Sequence, residues 1–131
     1  MKLMMAFITT SMFAFATFAA DVPYTIKAEQ GLKNAVSVQW TGVASSSTPT
    51  ALKAANYVDH TVQVAGTFGG ATIALHGSND GVTYTQLTDQ ANAALTCTTT
   101  CLKSIQQPAL YIKPVVSGGT AVNLKINLHS K

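Results

Sequence analysis

Apolar and polar residues alternate with a period of two over most of the chain after Asp21, and turn residues interrupt the pattern every eight to twelve residues or about that. Such a pattern predicts strands, because successive side chains of a strand point to opposite faces. The last segment is the clearest. Val122, Leu124, Ile126 and Leu128 alternate there with Asn123, Lys125, Asn127 and His129. Asn34 to Trp40 places Val36, Val38 and Trp40 on one side. His60 to Phe68 does the same with Val62, Val64 and Phe68, and Gly66 on that face marks a bulge or a close backbone approach. Further strands are predicted over Pro23 to Ala28, Thr72 to His76, Val82 to Leu87 and Leu110 to Val116, the last with Pro114 at an edge or a bulge.

The connections carry their own signals. Thr41 to Thr50 is rich in Gly, Ser, Thr and Pro and reads as a loop, and Ala51 to Asn56 as a short helical turn. Gly69-Gly70 and Ser117 to Thr120 read as turns. Asn79-Asp80-Gly81 is the strongest turn signal, since Asp-Gly supplies the positive φ angles of a tight hairpin. About seven strands with these turns predict an all-β chain, an antiparallel β-sandwich of Ig-like or jelly-roll-like type.

The first twenty residues break the pattern. Met1-Lys2 precedes an apolar stretch from Leu3 to Ala20 that includes Phe7, Ile8, Phe13, Phe15 and Phe18. Two readings stand. One basic residue, an apolar core and small residues after it fit a secretory signal peptide. A retained apolar arm, buried against a partner through Leu3, Phe7, Phe13, Phe15 and Phe18, fits equally, because such a stretch is costly to leave in water. A transmembrane anchor is weaker, since Thr9, Thr10, Ser11 and Thr17 interrupt a stretch near the lower length limit. The organisation expected is an arm or signal peptide over 1–20 and one β-sandwich domain over 21–131.

Composition sharpens this picture. Charged residues make up 10% of the 131 residues, well below typical soluble domains, and Thr, Ser, Asn and Gln fill the exposed positions instead. The formal charge is +3, but all eight basic residues are lysines, scattered along the chain. Without arginine or a basic cluster, nucleic acid is not an expected partner. No constellation of nucleophile, base and electrophile assembles from these residues, so an enzyme and a small-molecule substrate are not expected.

Cys97 and Cys101 form a C-T-T-T-C segment. It reads as a possible disulfide, with free thiols or a metal clip as the other readings; a structural zinc site wants four ligands, and no second Cys pair is present. No cofactor or metal is expected. His60, His76 and His129 read as exposed polar positions. Asp80 with Asp89 supplies too few oxygens for calcium without several amides and carbonyls. Trp40, Tyr24, Tyr57, Tyr84 and Tyr111 read as core anchors before they read as a sugar-stacking platform.

The stretch from Thr61 to Asp89, TVQVAGTFGGATIALHGSNDGVTYTQLTD, resembles head decoration (cement) proteins of tailed bacteriophages, as does ALYIKPVVSGGT from Ala109 to Thr120. The likeness covers roughly the C-terminal 70 residues. Tyr84 stands where a Trp is common in that family, and Lys113 where an Arg is common. The resemblance implies a virion structural protein on the outer capsid surface. It would brace the shell, contact the major capsid protein and form a homo-oligomer. The N-terminal segment departs from that pattern as a signal peptide and agrees with it as a capsid-gripping arm. The alternative function is a secreted or periplasmic β-sandwich module for carbohydrate or cell-surface attachment, with the signal peptide cleaved. Only in that case is a membrane involved.

Overall fold

The computed structural model describes residues 19–27 and 34–131, and it is all-β. Twelve strands lie among the described residues: β1 (Ala20–Val22), β2 (Tyr24–Lys27), β3 (Val36–Val43), β4 (Ser47–Pro49), β5 (Leu52–Lys53), β6 (His60–Thr67), β7 (Thr72–Ser78), β8 (Thr85–Gln86), β9 (Thr96–Cys97), β10 (Cys101–Ile105), β11 (Tyr111–Ser117) and β12 (Asn123–Ser130). Five strands form one antiparallel sheet in the order β10-β6-β12-β3-β2. The other sheet runs β5-β11-β7-β8, also antiparallel, with β9 pairing β7 beyond the end of β8. β1 and β4 pair in parallel as a separate two-stranded ribbon.

The two larger sheets form a sandwich around a single cluster of buried side chains. The first sheet contributes Val38, Trp40, Val62, Val64, Leu124, Ile126 and Leu128; the second contributes Leu52, Ile73, Leu75, Ile112 and Val116. The perfect alternation of the last strand now has a reason. β12 sits at the centre of the five-stranded sheet, so a slip of one residue would turn its whole aliphatic set into water. Trp40 is enclosed, meets Tyr24 edge-to-face at 5.8 Å between ring centres, and donates from Nε1 to the Thr50 carbonyl at 2.9 Å.

Gly66 marks a close approach. Its φ is +123°, and a Cβ there would run into the Asn123 carbonyl oxygen and lie 3.1 Å from the Leu124 Cα. The bulge lies across the sheet, where the register of β12 against β3 shifts between Leu124 and Lys125, opposite Gly42 with its φ of +72°. Pro114 pairs with Leu75 in the half of β11 that β5 does not flank and β4 packs against, so its missing N–H breaks no bond to β5.

Several expectations are corrected. Thr41 to Thr50 is not one loop, because β3 continues to Val43 and Ser47–Pro49 pairs with β1. Ala51 to Asn56 is not helical; Leu52 and Lys53 pair with Ile112 and Tyr111. The expected return strand over 82–87 shrinks to Thr85–Gln86, and Cys101–Ile105 forms a strand that the sequence reading left out. Asn79, Asp80 and Gly81 do turn the chain, but not as a tight two-residue hairpin. Gly77 pairs with Thr85, so the connection spans 78–84, and of the two expected positive φ angles only that of Gly81 (+76°) occurs.

Candidate functional site

The residues expected to grip a partner, Leu3, Phe7, Phe13, Phe15 and Phe18, lie outside the described residues. The described surface is therefore judged by its loops, its edges and its two flat outer faces.

The 78–84 loop is built around Asp80. Its carboxylate accepts from the backbone N–H of Val82 at 2.8 Å, that of Thr83 at 2.7 Å and the Ser78 hydroxyl at 2.7 Å. The Val82 N–H first, with Ser78 and Thr83, holds the Asp80 carboxyl far below the usual carboxylate range. Asp80 is thus spent on its own loop. The other described acids are spent as well. Asp59 lies 3.5 Å from the Lys131 ammonium and Asp89 3.8 Å from that of Lys103, while Asp21 accepts from the Thr50 hydroxyl at 3.3 Å. Asp89 also receives the N–H groups of Ala91 and Ala93. Among the described residues no three His, Cys, Asp or Glu side chains gather where they could hold a metal ion.

Cys97 and Cys101 are joined by a disulfide, with their Cα atoms 6.1 Å apart. Cys97 pairs with Ile73 in one sheet and Cys101 with Val64 in the other, so the bond closes the point where the chain crosses between sheets.

The histidines do not behave alike. His60 is fully buried, against expectation, with Nδ1 2.8 Å from the Ser130 hydroxyl and Nε2 without a partner. Burial pulls its pKa below 6.5, against a smaller opposing pull from Asp59. This His–Ser pair is closed to any substrate. His129 lies on the outer face of the five-stranded sheet, 2.8 Å from the Ser37 hydroxyl, and His76 lies on the outer face of the second sheet.

The two outer faces differ. On the first sheet the polar groups bond to each other: Gln39 donates to Asn127 at 2.6 Å, and Ser37 meets His129. On the second sheet, a row of Lys113, His76 and Gln86 crosses β11, β7 and β8, flanked by Tyr111, Tyr84 and Lys53. The Lys113 ammonium sits 4.1 Å above the Tyr84 ring, and the loop packs Gly81 near the Tyr111 ring. The aromatic expectation therefore divides. Trp40 and Tyr24 are core anchors, and Tyr57 packs against the core, whereas Tyr84 and Tyr111 share an outer face. Their place follows from strand parity: Tyr111 and Lys113 alternate with the buried Ile112 and Pro114.

The chain matches no family model, no curated protein and no solved structure in the three comparisons. The likeness to phage decoration proteins thus rests on the motifs of residues 61–89 and 109–120 alone.

Proposed function

We propose that this chain is a virion structural protein that attaches to the outer surface of a capsid shell and braces it, as one copy in a symmetric set. The observation that carries the reading is how the sandwich closes. Every buried apolar side chain among the described residues lies at or beyond Val38. The strand that follows the apolar N-terminal segment, β1, is exposed at Ala20 and Asp21 and, among the described residues, pairs with β4 alone. An apolar segment that leads into so exposed a strand, ahead of a core whose described side chains begin at Val38, is suited to burial against a partner. Broad, weakly charged sheet faces suit attachment over area more than chemistry on a small molecule.

The disulfide favours a second reading, since such bonds persist in oxidising compartments. In that reading the chain is a secreted or periplasmic attachment module and its first residues are a cleaved signal peptide. Trp40 drops out as a stacking residue because it is enclosed, which leaves Tyr84.

One experiment separates the two. Particles and medium from a producing culture are fractionated on a density gradient, and the intact mass of the chain is measured in each fraction. The decoration reading expects the chain, with its apolar segment, to migrate with the shell protein. A chain found free in the medium with its N-terminus at or beyond Thr17 would sink it.

A further inference from the structure

We infer that His60 is a proton-operated latch: its neutral ring holds the Ser130–Lys131 end of β12 against residues 58–60, and protonation releases that end while the two sheets stay closed. None of the contacts involved depends on what the chain attaches to.

The rim of the sandwich at this end is held by polar contacts. His60 opens β6 and Ser130 closes β12, and the two pair in register with the His60 Nδ1 2.8 Å from the Ser130 hydroxyl. Just beyond them, the Lys131 N–H donates to the Asp59 carbonyl at 2.9 Å, and the Asp59 and Val58 N–H groups both donate to the Lys131 carbonyl at 3.0 Å. The Lys131 ammonium lies 3.5 Å from the Asp59 carboxylate, and both side chains are exposed. The aliphatic pairs of the two strands begin further in, with Val62 against Leu128 and Val64 against Ile126. The rim can therefore part without separating any of those pairs, a local opening of the kind that costs less than unfolding.

The ring supplies the proton response. His60 is fully buried, and its Nε2 has no partner. A second proton would place a charge and an unpaired N–H inside the core, a cost relieved by reaching water. Letting go of Ser130 and Lys131 breaks the rim bonds and spares the core. Few charges stand near enough to hold the protonated ring in place. Asp59 precedes it in the chain and is tied to Lys131. On β10 the residue opposite His60 is Ile105, and Lys103 and Asp89 of that edge hold each other at 3.8 Å. Val36, opposite Ser130 on β3, is apolar, and His129 turns to the outer face toward Ser37. In the facing sheet Lys53, His76, Tyr111 and Lys113 point outward, and Tyr57, packed against the core, brings a phenol rather than a carboxylate. Burial lowers the His60 pKa, and Asp59 is the charge that opposes it. The latched ring is thus neutral at pH 7, whereas a released ring in water takes its proton near 6.5. A base with a lowered pKa stabilises the latched form fully above about 6.5 and less as pH falls below it.

The test follows amide hydrogen exchange of the full chain, corrected for the intrinsic rate at each pH. Beside it runs the fluorescence of Trp40, the single tryptophan, which reports on the closed core. Opening at Val58, Asp59 and Lys131 should grow by up to about tenfold for each pH unit below about 6.5, while Trp40 keeps its native emission. His60→Gln should remove that pH dependence. Ser130→Ala should raise opening about fivefold at pH 7, the size of one neutral hydrogen bond, and keeps the inference testable if His60→Gln does not fold. Asp59→Asn should loosen the rim at every pH and leave the acid response in place. Loss of native Trp40 emission at the same pH as loss of rim protection would make the event unfolding of the whole sandwich and overturn the inference. So would a rim unchanged between pH 7 and 5, or unaltered opening at pH 7 in Ser130→Ala. An acid response that Asp59→Asn abolishes would overturn it too, by making the ion pair the sensor.

Discussion

His60 is the buried side chain through which the fold should respond to pH. It is enclosed at the end of the core, bonded to Ser130 through Nδ1, with Nε2 facing no acceptor. Burial outweighs the pull of Asp59 and sets its pKa below 6.5 in the folded chain, while the unfolded chain titrates near that value. A base whose folded pKa is lowered contributes fully above the unfolded pKa. Its contribution falls as pH drops from about 6.5 toward the folded pKa, because the unfolded state takes the proton first. Stability should therefore be flat between pH 7 and 8 and decline below about pH 6.5, with a slope of at most about 1.4 kcal/mol per pH unit for this proton. Asp80 acts in a separate window below its ordinary 3.8, and His76, also lowered by burial and by Lys113, adds a slope of the same sign. Denaturant midpoints between pH 5 and 8 check this: His60→Gln should flatten the decline, and an unchanged slope would exclude His60 as its source.

At the scale of elements, the disulfide fastens β9 to β10 where the chain leaves one sheet for the other. It closes a five-residue loop, so the chain-entropy account gives about 2 kcal/mol of stabilisation. Cys97→Ser with Cys101→Ser should lower the free energy of unfolding by that amount, and reductant should shift the native chain equally but not the double variant. Strand existence was legible in the sequence where one face is buried and the other wet, as in β3, β6, β7, β11 and β12. It failed where burial does not alternate cleanly. β10 carries Leu102, 68% exposed, next to Lys103, whose partner is Asp89, so its pattern reads as polar loop. β8 was overdrawn because Asp80 gathers Val82 and Thr83 into the turn, and no alternation rule sees a side chain capping two N–H groups. The outer face of the second sheet was half legible. Tyr84 and Tyr111 were marked as aromatics, but only the register that sets Lys113 opposite His76 brings them onto one face.

For the whole molecule, the question is whether the apolar N-terminal segment belongs to the fold or to an assembly. Among the described residues the core cluster joins both sheets from Val38 to Leu128, and partly buried Val22 and Tyr24 pack against it. β1 adds one parallel ribbon to β4, with Asp21 bonded to Thr50 at its exposed side. If the segment serves the fold, its removal should cost apolar burial, at about 25 cal/mol for each Å² lost. If it serves an assembly, a chain that starts at Ala19 should unfold within a degree or two, roughly, of the full chain, since none of that area leaves the core. Solubility should move the other way: the full chain should associate in solution, as an exposed apolar segment does, and the shortened chain should stay monomeric at the same concentration. Thermal unfolding and light scattering on the two chains decide it. A shortened chain that melts well below the full one would place the segment inside the fold and remove it as the grip on a shell.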